Sequence, residues 1–413
     1  MPDLSQLILY AFFFISLYLE VFFLVAFFET QKTASVASKS SRREKFPSVT
    51  IIVPCYNEQD TVSGTIASLL KLDYPKKLLD IIVVDDGSTD DTYRIANQFA
   101  KHKNVQVFRK ENGGKHTALN FGIAKSRTEI VGCLDADSFV NKDALIHIVR
   151  AFARPDVVAA TPAIKIFRPR GILQHLQKAE YEVSVFLRRV FGGLNALYVT
   201  PGPFSLFRKE IFSILGPFRK AHATEDMEYA MRVQANHYKI ANVHDARVYT
   251  VAPKTISGLY RQRRRWVTGF LKNVWDYRFL LFAKKYGSLG SIILPAAIIS
   301  IFSALYLALY AVLTLSSALL EKFFLWQAID YNINWHIGDL GWFYINTHTF
   351  TFLALAILAL WTTAIMIGKR LSGEPVRFSF DIVYYLALYG LIAPFWLAAS
   401  VYNALRGIER PWK

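Results

Sequence analysis

A few stretches of this chain have the residue types and spacing for chemistry. Thr224-Glu225-Asp226 puts two carboxylates at an expected helix start, and Gln262-Arg263-Arg264-Arg265-Trp266 follows with an arginine cluster ending in an indole. Together they offer a proton acceptor, a clamp for phosphate and a flat face on which the C–H side of a sugar packs. Asp135-Ala136-Asp137 ends a short apolar run. One of its carboxylates suits a hard divalent ion while the other braces the site, and Mg2+ or Mn2+ held this way keeps positions for diphosphate oxygens. Asp85-Asp86-Gly87-Ser88 closes an earlier apolar run. Its carboxylates accept hydrogen bonds from a ribose or a base N–H, or the segment is an ordinary Asp-Gly turn.

Plainer readings stand beside these. Arg263 to Arg265 also fit a basic cluster snorkelling at a membrane surface, with Trp266 as an interfacial anchor. Glu225 fits a charge favoured by a helix N-terminus, with Thr224 as the cap. His222, His237 and His244 have no ligand spacing with the carboxylates and read as surface or packing residues, and Cys55 and Cys133 read as buried thiols rather than a disulfide or a zinc pair.

From Pro47 onward the pattern alternates short apolar runs with helix-length amphipathic stretches. Val49–Val53, Asp80–Val84, Val105–Arg109 and Ile130–Leu134 read as strands, and Thr61–Lys71, Asp90–Lys101 and Lys115–Ser126 as helices. This alternation predicts an α/β fold with a mainly parallel sheet, and ligands in such sheets bind beyond the carboxyl ends of the strands, where the acids gather. Ile172 to Val190 and Trp266 to Val274 are amphipathic, suited to the inner membrane surface or to packing on their own domain.

The 413 residues are 53% hydrophobic, with Lys and Arg outnumbering Asp and Glu by 48 to 32. Mean hydropathy is +0.24, which predicts a hybrid of membrane helices and a polar domain. With membrane present, the basic balance points to anionic lipid or phosphorylated small molecules, not nucleic acid. Leu7–Phe28 reaches roughly 33 Å as a helix and reads as a span rather than a signal peptide. Lys32, Lys39, Arg42, Arg43 and Lys45 then place the next domain in the cytoplasm. Ser288–Leu320 reads as a tilted or kinked span with an exposed end, and Phe323–His348 as an interfacial loop carrying Trp326, Trp335 and Trp342 with Asp330 and Asp339. Thr349–Gly368 and Ile382–Asn403 are further spans around the basic loop Lys369–Arg377. Four spans put Arg406, Arg410 and Lys413 outside, on the disfavoured side. The expected layout is a helix over 1–30, a cytoplasmic domain over 46–255, interface helices over 256–287 and a membrane region over 288–413.

Pro54-Cys55-Tyr56-Asn57-Glu58, Asp85-Asp86-Gly87-Ser88-Thr89-Asp90, Asp135-Ala136-Asp137, Thr224-Glu225-Asp226 and Gln262 to Trp266 occur in the order and spacing of family 2 glycosyltransferases. The Q-x-x-R-W motif resembles the membrane-embedded branch of processive β-glycan synthases, which make poly-N-acetylglucosamine, chitin, hyaluronan and cellulose. The resemblance runs from Pro47 to Lys272 and implies a GT-A type nucleotide-sugar domain. By the same resemblance Tyr56, Asn57, Glu58, Asp85 and Asp86 hold the uridine, and Lys115, within Asn112-Gly113-Gly114-Lys115, reaches the diphosphate. Asp135 and Asp137 sit at the donor and its metal. Asp226 is the general base with Glu225 beside it, and Gln262, Arg265 and Trp266 surround pyrophosphate and acceptor. Pro201-Gly202-Pro203-Phe204-Ser205 resembles the loop beside the acceptor, with Thr200-Pro201 standing where a small or Cys-rich segment is expected.

The resulting expectation is an inverting, Mg2+- or Mn2+-dependent enzyme of the inner membrane. It extends a β-linked polysaccharide from a UDP-sugar and passes it through its own helices, with an accessory export subunit as a further partner. Val251-Ala252-Pro253 and the span arrangement point to UDP-N-acetylglucosamine as first donor. Transfer of one sugar to a lipid acceptor is the alternative, and a non-catalytic pore or scaffold a third reading that intact acids at every catalytic position disfavour.

Overall fold

The computed structural model describes residues 4–37, 46–328 and 349–408. Lys39, Arg42, Arg43 and Lys45, the loop residues Asp330, Trp335, Asp339 and Trp342, and Arg410 and Lys413 lie outside these. A long helix, α1 (Leu4–Ala37), is followed by β1 (Val49–Cys55), α2 (Val62–Leu70), β2 (Leu79–Asp85), α3 (Thr92–Asn97), β3 (Val105–Arg109), α4 (Lys115–Lys125) and β4 (Ile130–Cys133). Next come β5 (Ser138–Val140), α5 (Ala144–Val149), β6 (Val157–Ile166), α6 (Gly171–Gly193), β7 (Leu206–Arg208), α7 (Ile211–Leu215), α8 (Glu225–Ala235) and β8 (Lys239–Thr250). Four helices complete the chain: α9 (Ile256–Asp276), α10 (Leu294–Ala328), α11 (Thr349–Leu371) and α12 (Phe380–Leu405).

The eight strands form one sheet in the order β3-β2-β1-β4-β7-β6-β8-β5. Strands β3, β2, β1 and β4 run parallel, as the βαβ reading requires. Beyond them β7 is antiparallel to both β4 and β6, β8 is parallel to β6, and β5 is antiparallel to β8. Both faces are covered, which is why β1 is buried along its whole length. Ile51 and Val53 point into one core with Val62, Ile66, Leu145 and Ile148, while Ile52 and Ile82 point into the other with Ala118, Leu119, Tyr229 and Val233.

Strand direction explains where the chemistry gathers. The carboxyl ends of β1, β2, β4, β6 and β8 lie along one edge of the sheet, and the antiparallel β7 and β5 begin there. Residues 56–58, 85–86, 135–137 and 200–205 therefore share that edge, although they are far apart in sequence.

Four helices are long and apolar enough to cross a membrane: Leu4–Gln31, Leu289–Ala328, Thr351–Leu371 and Phe380–Leu405. The second opens with a π turn at Leu289–Ile293, and Pro295 falls where that turn passes into α10, so the missing proline N–H coincides with the change of hydrogen-bond pattern. That helix continues past Leu320, so Trp326 belongs to it and not to the expected loop. Helix α6 serves the sheet and the membrane helices together: Phe186 packs on Phe27 of α1 with ring centroids 5.6 Å apart, and Ala179 and Val183 meet Ile365 of α11 and Ile382 of α12. Helix α9 packs Leu259 against Trp396 of α12. It also crosses the start of α8 at Gly269, where a Cβ would come within 2.3 Å of Thr224 Oγ1.

Candidate functional site

The first half of the sheet supplies an acidic floor. Asn57 takes a left-handed conformation (φ 54°) at the end of β1, its N–H donates to Ser88 Oγ at 2.9 Å, and its Oδ1 accepts from Thr89 N at 2.9 Å. Glu58 donates its N–H to Thr92 Oγ1 at 2.7 Å and accepts from Thr61 Oγ1 at 2.9 Å. These bonds lock the turn after β1, with Tyr56 half-buried within it, onto the turn after β2. Asp85 is fully buried and lies 3.2 Å from Arg109 Nε. Asp86 accepts from Gly113 N at 3.2 Å, Gly114 N at 2.8 Å and Lys110 Nζ at 2.5 Å. It thereby shapes the Gly-Gly turn that delivers Lys115 to the first position of α4.

Lys115 is the centre of the charge arrangement. Its Nζ lies 2.6 Å from Asp135 Oδ1 and 3.7 Å from Glu225 Oε1. Burial works against its charge, but Asp135, Glu225 and Asp226 outweigh that and hold its pKa far above the usual lysine range. A Cβ on Gly202 would lie 2.5 Å from Lys115 Nζ and 2.6 Å from both Asp135 carboxylate oxygens. The Pro201–Ser205 loop can close over the pair for want of a side chain there. Gly202→Ala is expected to displace Lys115 and Asp135 and to cut turnover at least tenfold with little change in melting temperature, as read from steady-state kinetics beside a thermal melt.

Asp226 stands in the first turn of α8. Its carbonyl accepts from Thr200 N at 3.2 Å and Thr200 Oγ1 at 2.8 Å, so the Thr200-Pro201 departure positions this residue. Behind it, Tyr229 packs in an aromatic group with Phe207, Phe212 and Phe218, at centroid distances from 4.7 Å to Phe218 up to 5.5 Å to Phe207. Burial and the neighbouring Glu225 push the Asp226 carboxyl up to about 6, against the pull of Lys115 and Arg265. The expected Thr224 cap is not formed. Thr224 occupies the cap position, but its hydroxyl donates to Ala221 O at 3.1 Å and accepts from Asn273 Nδ2 of α9 at 2.8 Å, which pins α9 to the start of α8 instead.

Burial, then Asp135 and Glu58, push the Asp137 carboxyl up as well, to about 6. A carboxylate destabilised by two like charges is one that a cation would stabilise. Among the described residues no three His, Cys, Asp or Glu side chains converge on one point. Asp135 and Asp137 are a two-carboxylate set of the kind that suits an ion sharing its remaining positions with water and diphosphate.

Of the arginine motif, Arg265 reaches the site, donating through Nη1 to Ala223 O at 3.1 Å two residues before Glu225. Gln262 accepts from Arg263 Nη1 at 2.6 Å, and Trp266 lies beneath the Arg263 guanidinium at 4.3 Å. His222 bonds Asp276 at 2.9 Å and His237 stacks on Tyr286, which are packing roles as expected.

The sequence profile described as "Glycosyl transferase family 2" matches residues 50–216. This stretch is a family 2 glycosyltransferase domain. The chain is 32% identical over 243 residues to a poly-beta-1,6-N-acetyl-D-glucosamine synthase of Staphylococcus epidermidis, covering 57% of this chain and 58% of that protein. It is 31% identical over 229 residues to the synthase of the same name from Staphylococcus aureus strain MSSA476, covering 55% of each. The match thus spans a little under three fifths of the curated relatives' length. Among solved structures, a mannosyltransferase from Pyrobaculum calidifontis in complex with GDP-Man and Mn2+ superposes with a TM-score of 0.61 at 21% identity, over 96% of this chain and all of that one. The GT-A type fold is shared.

Two features around the glycosyltransferase domain escaped the sequence. Arg263, not Arg265, is the buried arginine, and it donates Nε to Glu180 Oε1 at 2.9 Å and Nη2 to Glu180 Oε2 at 2.6 Å. Glu180 on α6 also accepts from Tyr389 of α12 at 3.4 Å, so three helices meet at one carboxylate. Arg188, also on α6, is pushed below the usual arginine range by burial, with Tyr181, Tyr198 and Asp226 close enough to oppose the shift. Neither Glu180 nor Arg188 belongs to a short motif; an acid or arginine interrupting the apolar period of α6 was the available signal.

Proposed function

We propose that this chain is an inverting membrane glycosyltransferase that extends a β-linked glycan from a UDP-sugar, with UDP-N-acetylglucosamine as first donor. The observation that carries it is one constellation: half-buried Asp226, its carboxyl raised to about 6, stands within electrostatic reach of Lys115, Asp135 and Arg265, and Lys115 Nζ lies 2.6 Å from Asp135. The matching relatives are poly-N-acetylglucosamine synthases, which supports the donor and the polymer.

Asp226 takes the proton of the acceptor hydroxyl as that oxygen attacks the anomeric carbon. No enzyme nucleophile intervenes, so one displacement converts an α-linked donor into a β linkage. Lys115 and Arg265 offset the charge gathering on the departing nucleoside diphosphate. Asp135 and Asp137 would hold Mg2+ or Mn2+, which supplies a Lewis acid for the diphosphate oxygens. The uridine lies over Tyr56, Asn57, Glu58, Asp85 and Asp86, and the acceptor sugar packs on Trp266, held flat by Arg263. On α12 Tyr389 packs against both Tyr385 and Trp396, an aromatic series that supports release of product along the apolar helices. The basic turn between α11 and α12 lies against the catalytic domain, with Lys165 donating to Ser372 O at 3.1 Å, which supports a cytoplasmic domain by the positive-inside rule.

The test is purified protein in lipid nanodiscs with a panel of UDP-sugars, measuring UDP release and product size. Long glycan from one donor establishes the polymerase; a single-sugar glycolipid replaces it with the lipid-acceptor reading, and no release from any donor sinks both. Chelation with EDTA is expected to lower UDP release by about 10²-fold or more, with recovery on adding Mn2+ or Mg2+ and no recovery in Asp137→Asn.

A further inference from the structure

Helix α6 lies along β8 in the opposite direction. Near one end Gln174 donates to Ala252 O at 2.8 Å, and near the other a Cβ on Gly192 would come within 2.8 Å of Asn242 Cβ. Arg189, one turn before Gly193, therefore stands over a bulge in β8, where His244 to Ala246 fall out of register between Val243, paired with Pro162, and Arg247, paired with Ala163. Ala246 and Val248 point into the core on one face of the sheet, so Arg247 between them points to the face that α6 covers. There its guanidinium lies flat against the turn after α11: a Cβ on Gly373 would come within 2.5 Å of Cζ and Nη2 and 2.7 Å of Nη1.

Neither Arg189 nor Arg247 makes a hydrogen bond or an ion pair through its side chain among the described residues. Both Nε atoms are sealed; the terminal nitrogens of these half-buried side chains are accessible, and they are what a ligand meets. Arginine does not shed its proton to escape burial, so an unpaired, half-buried guanidinium carries a cost that an anion offsets.

The surrounding acids leave that cost standing. Glu182, on the same face of α6, is sealed, with Lys178 and Lys369 at 3.9 and 4.0 Å. Glu374, beside Gly373, pairs with Lys165 and lies 3.6 Å from Lys178. Asp143 lies 3.5 Å from His147, and the exposed Glu29 of α1 pairs with neither arginine. Asp245 remains, exposed on the bulge and 3.8 Å from His244. Burial, with both arginines and His147 in electrostatic reach, holds His244 below the usual histidine range against the pull of Asp245, so it meets a ligand as a neutral imidazole able to donate one N–H. Two fixed positive charges thus face one exposed carboxylate, a balance that selects an anion, and guanidinium forks match phosphate oxygens.

We propose that Arg189, Arg247 and His244 bind a phosphate group, either the headgroup of an anionic phospholipid or a soluble inorganic phosphate. The position favours the lipid. Thr30 of α1 touches Gly193, one turn from Arg189, and Gly373 follows Leu371, so the apolar helices Leu4–Gln31 and Thr351–Leu371 both finish beside the two arginines. A phosphate held there joins α6 and β8 to the turn between α11 and α12. None of the three residues belongs to the proposed transferase cleft, so binding here is separable from turnover.

The full chain in detergent micelles is melted with increasing dihexanoyl-phosphatidylglycerol, inorganic phosphate or, as a phosphate-free control, dihexanoylglycerol, with UDP binding followed in parallel. Phosphatidylglycerol is expected to raise the melting temperature saturably. Arg189→Met and Arg247→Met should melt no earlier than the wild type without ligand, weaken the apparent Kd at least tenfold and keep wild-type UDP binding. Asp245→Asn, which removes the opposing carboxylate, should tighten it severalfold. Stabilisation by phosphatidylglycerol alone assigns a lipid headgroup; equal stabilisation by inorganic phosphate assigns a soluble anion. The site is overturned when neither phosphate compound stabilises the chain, when dihexanoylglycerol does so equally, or when both arginine variants respond like the wild type. Should an arginine variant fail to fold, Asp245→Asn decides, unchanged affinity there also overturning the site.

Discussion

Asp226→Asn is expected to lower turnover by about 10³-fold while leaving UDP-sugar affinity nearly unchanged, because the amide keeps the shape and loses the basicity. The pH profile carries the same claim with a definite sign. Burial and Glu225 raise the folded-state pKa of Asp226 to about 6, so this proposed base is ionised above that value and protonated below it. The rate at limiting donor should therefore fall about tenfold per pH unit on the acid side of 6. Asp137 is raised into the same range by burial, Asp135 and Glu58, and its protonation adds to the loss. In Glu225→Gln, where a raising charge is gone, the acid limb should shift to lower pH. An unchanged limb in that variant would assign it to another group.

The second large effect concerns architecture. Arg263→Met leaves the Glu180 carboxylate, with 18% of its side chain exposed, facing Tyr389 without its cation. Removing one partner of a buried pair costs about 3–5 kcal/mol; the residual exposure of Glu180 puts the expected loss near the lower figure, about 3 kcal/mol. The melting temperature of the detergent-solubilised chain reads it. Glu180→Gln in the same chain should return most of the loss, since no charge is then stranded. Even with stability restored, Trp266 lacks the guanidinium that lay over its ring at 4.3 Å, and weaker use of acceptor should persist as a raised acceptor KM.

Much of the site was legible because the local signals were strong. β-Branched runs ending in acids predicted where β1, β2 and β4 finish, and parallel strand direction brings those ends together without further information. The short antiparallel strands β7 and β5 were not legible, being three residues each with no periodicity to read. Choosing among Arg263, Arg264 and Arg265 was also beyond a sequence argument. Consecutive helical residues point about 100° apart, and the direction that becomes buried is set by Glu180, some eighty positions away and bound through long-range packing. Thr224 shows the limit of a propensity rule: the residue type fits a cap, but Asn273 offers its hydroxyl a buried partner from another helix.

Helix α6 serves two cores, and this has a consequence for how the protein is made. Synthesis runs from the N-terminus, and domains fold as they emerge. When residues 171–193 leave the ribosome, β7 and β8, through which β6 joins the sheet, are still to come, so the face of the helix turned to the sheet waits for them. The partners of its other face, Ile365 and Ile382, have not yet been translated. Until they arrive, Ala179 and Val183 present uncovered apolar surface. The helix therefore completes its packing only once β8, and after it α11 and α12, have arrived.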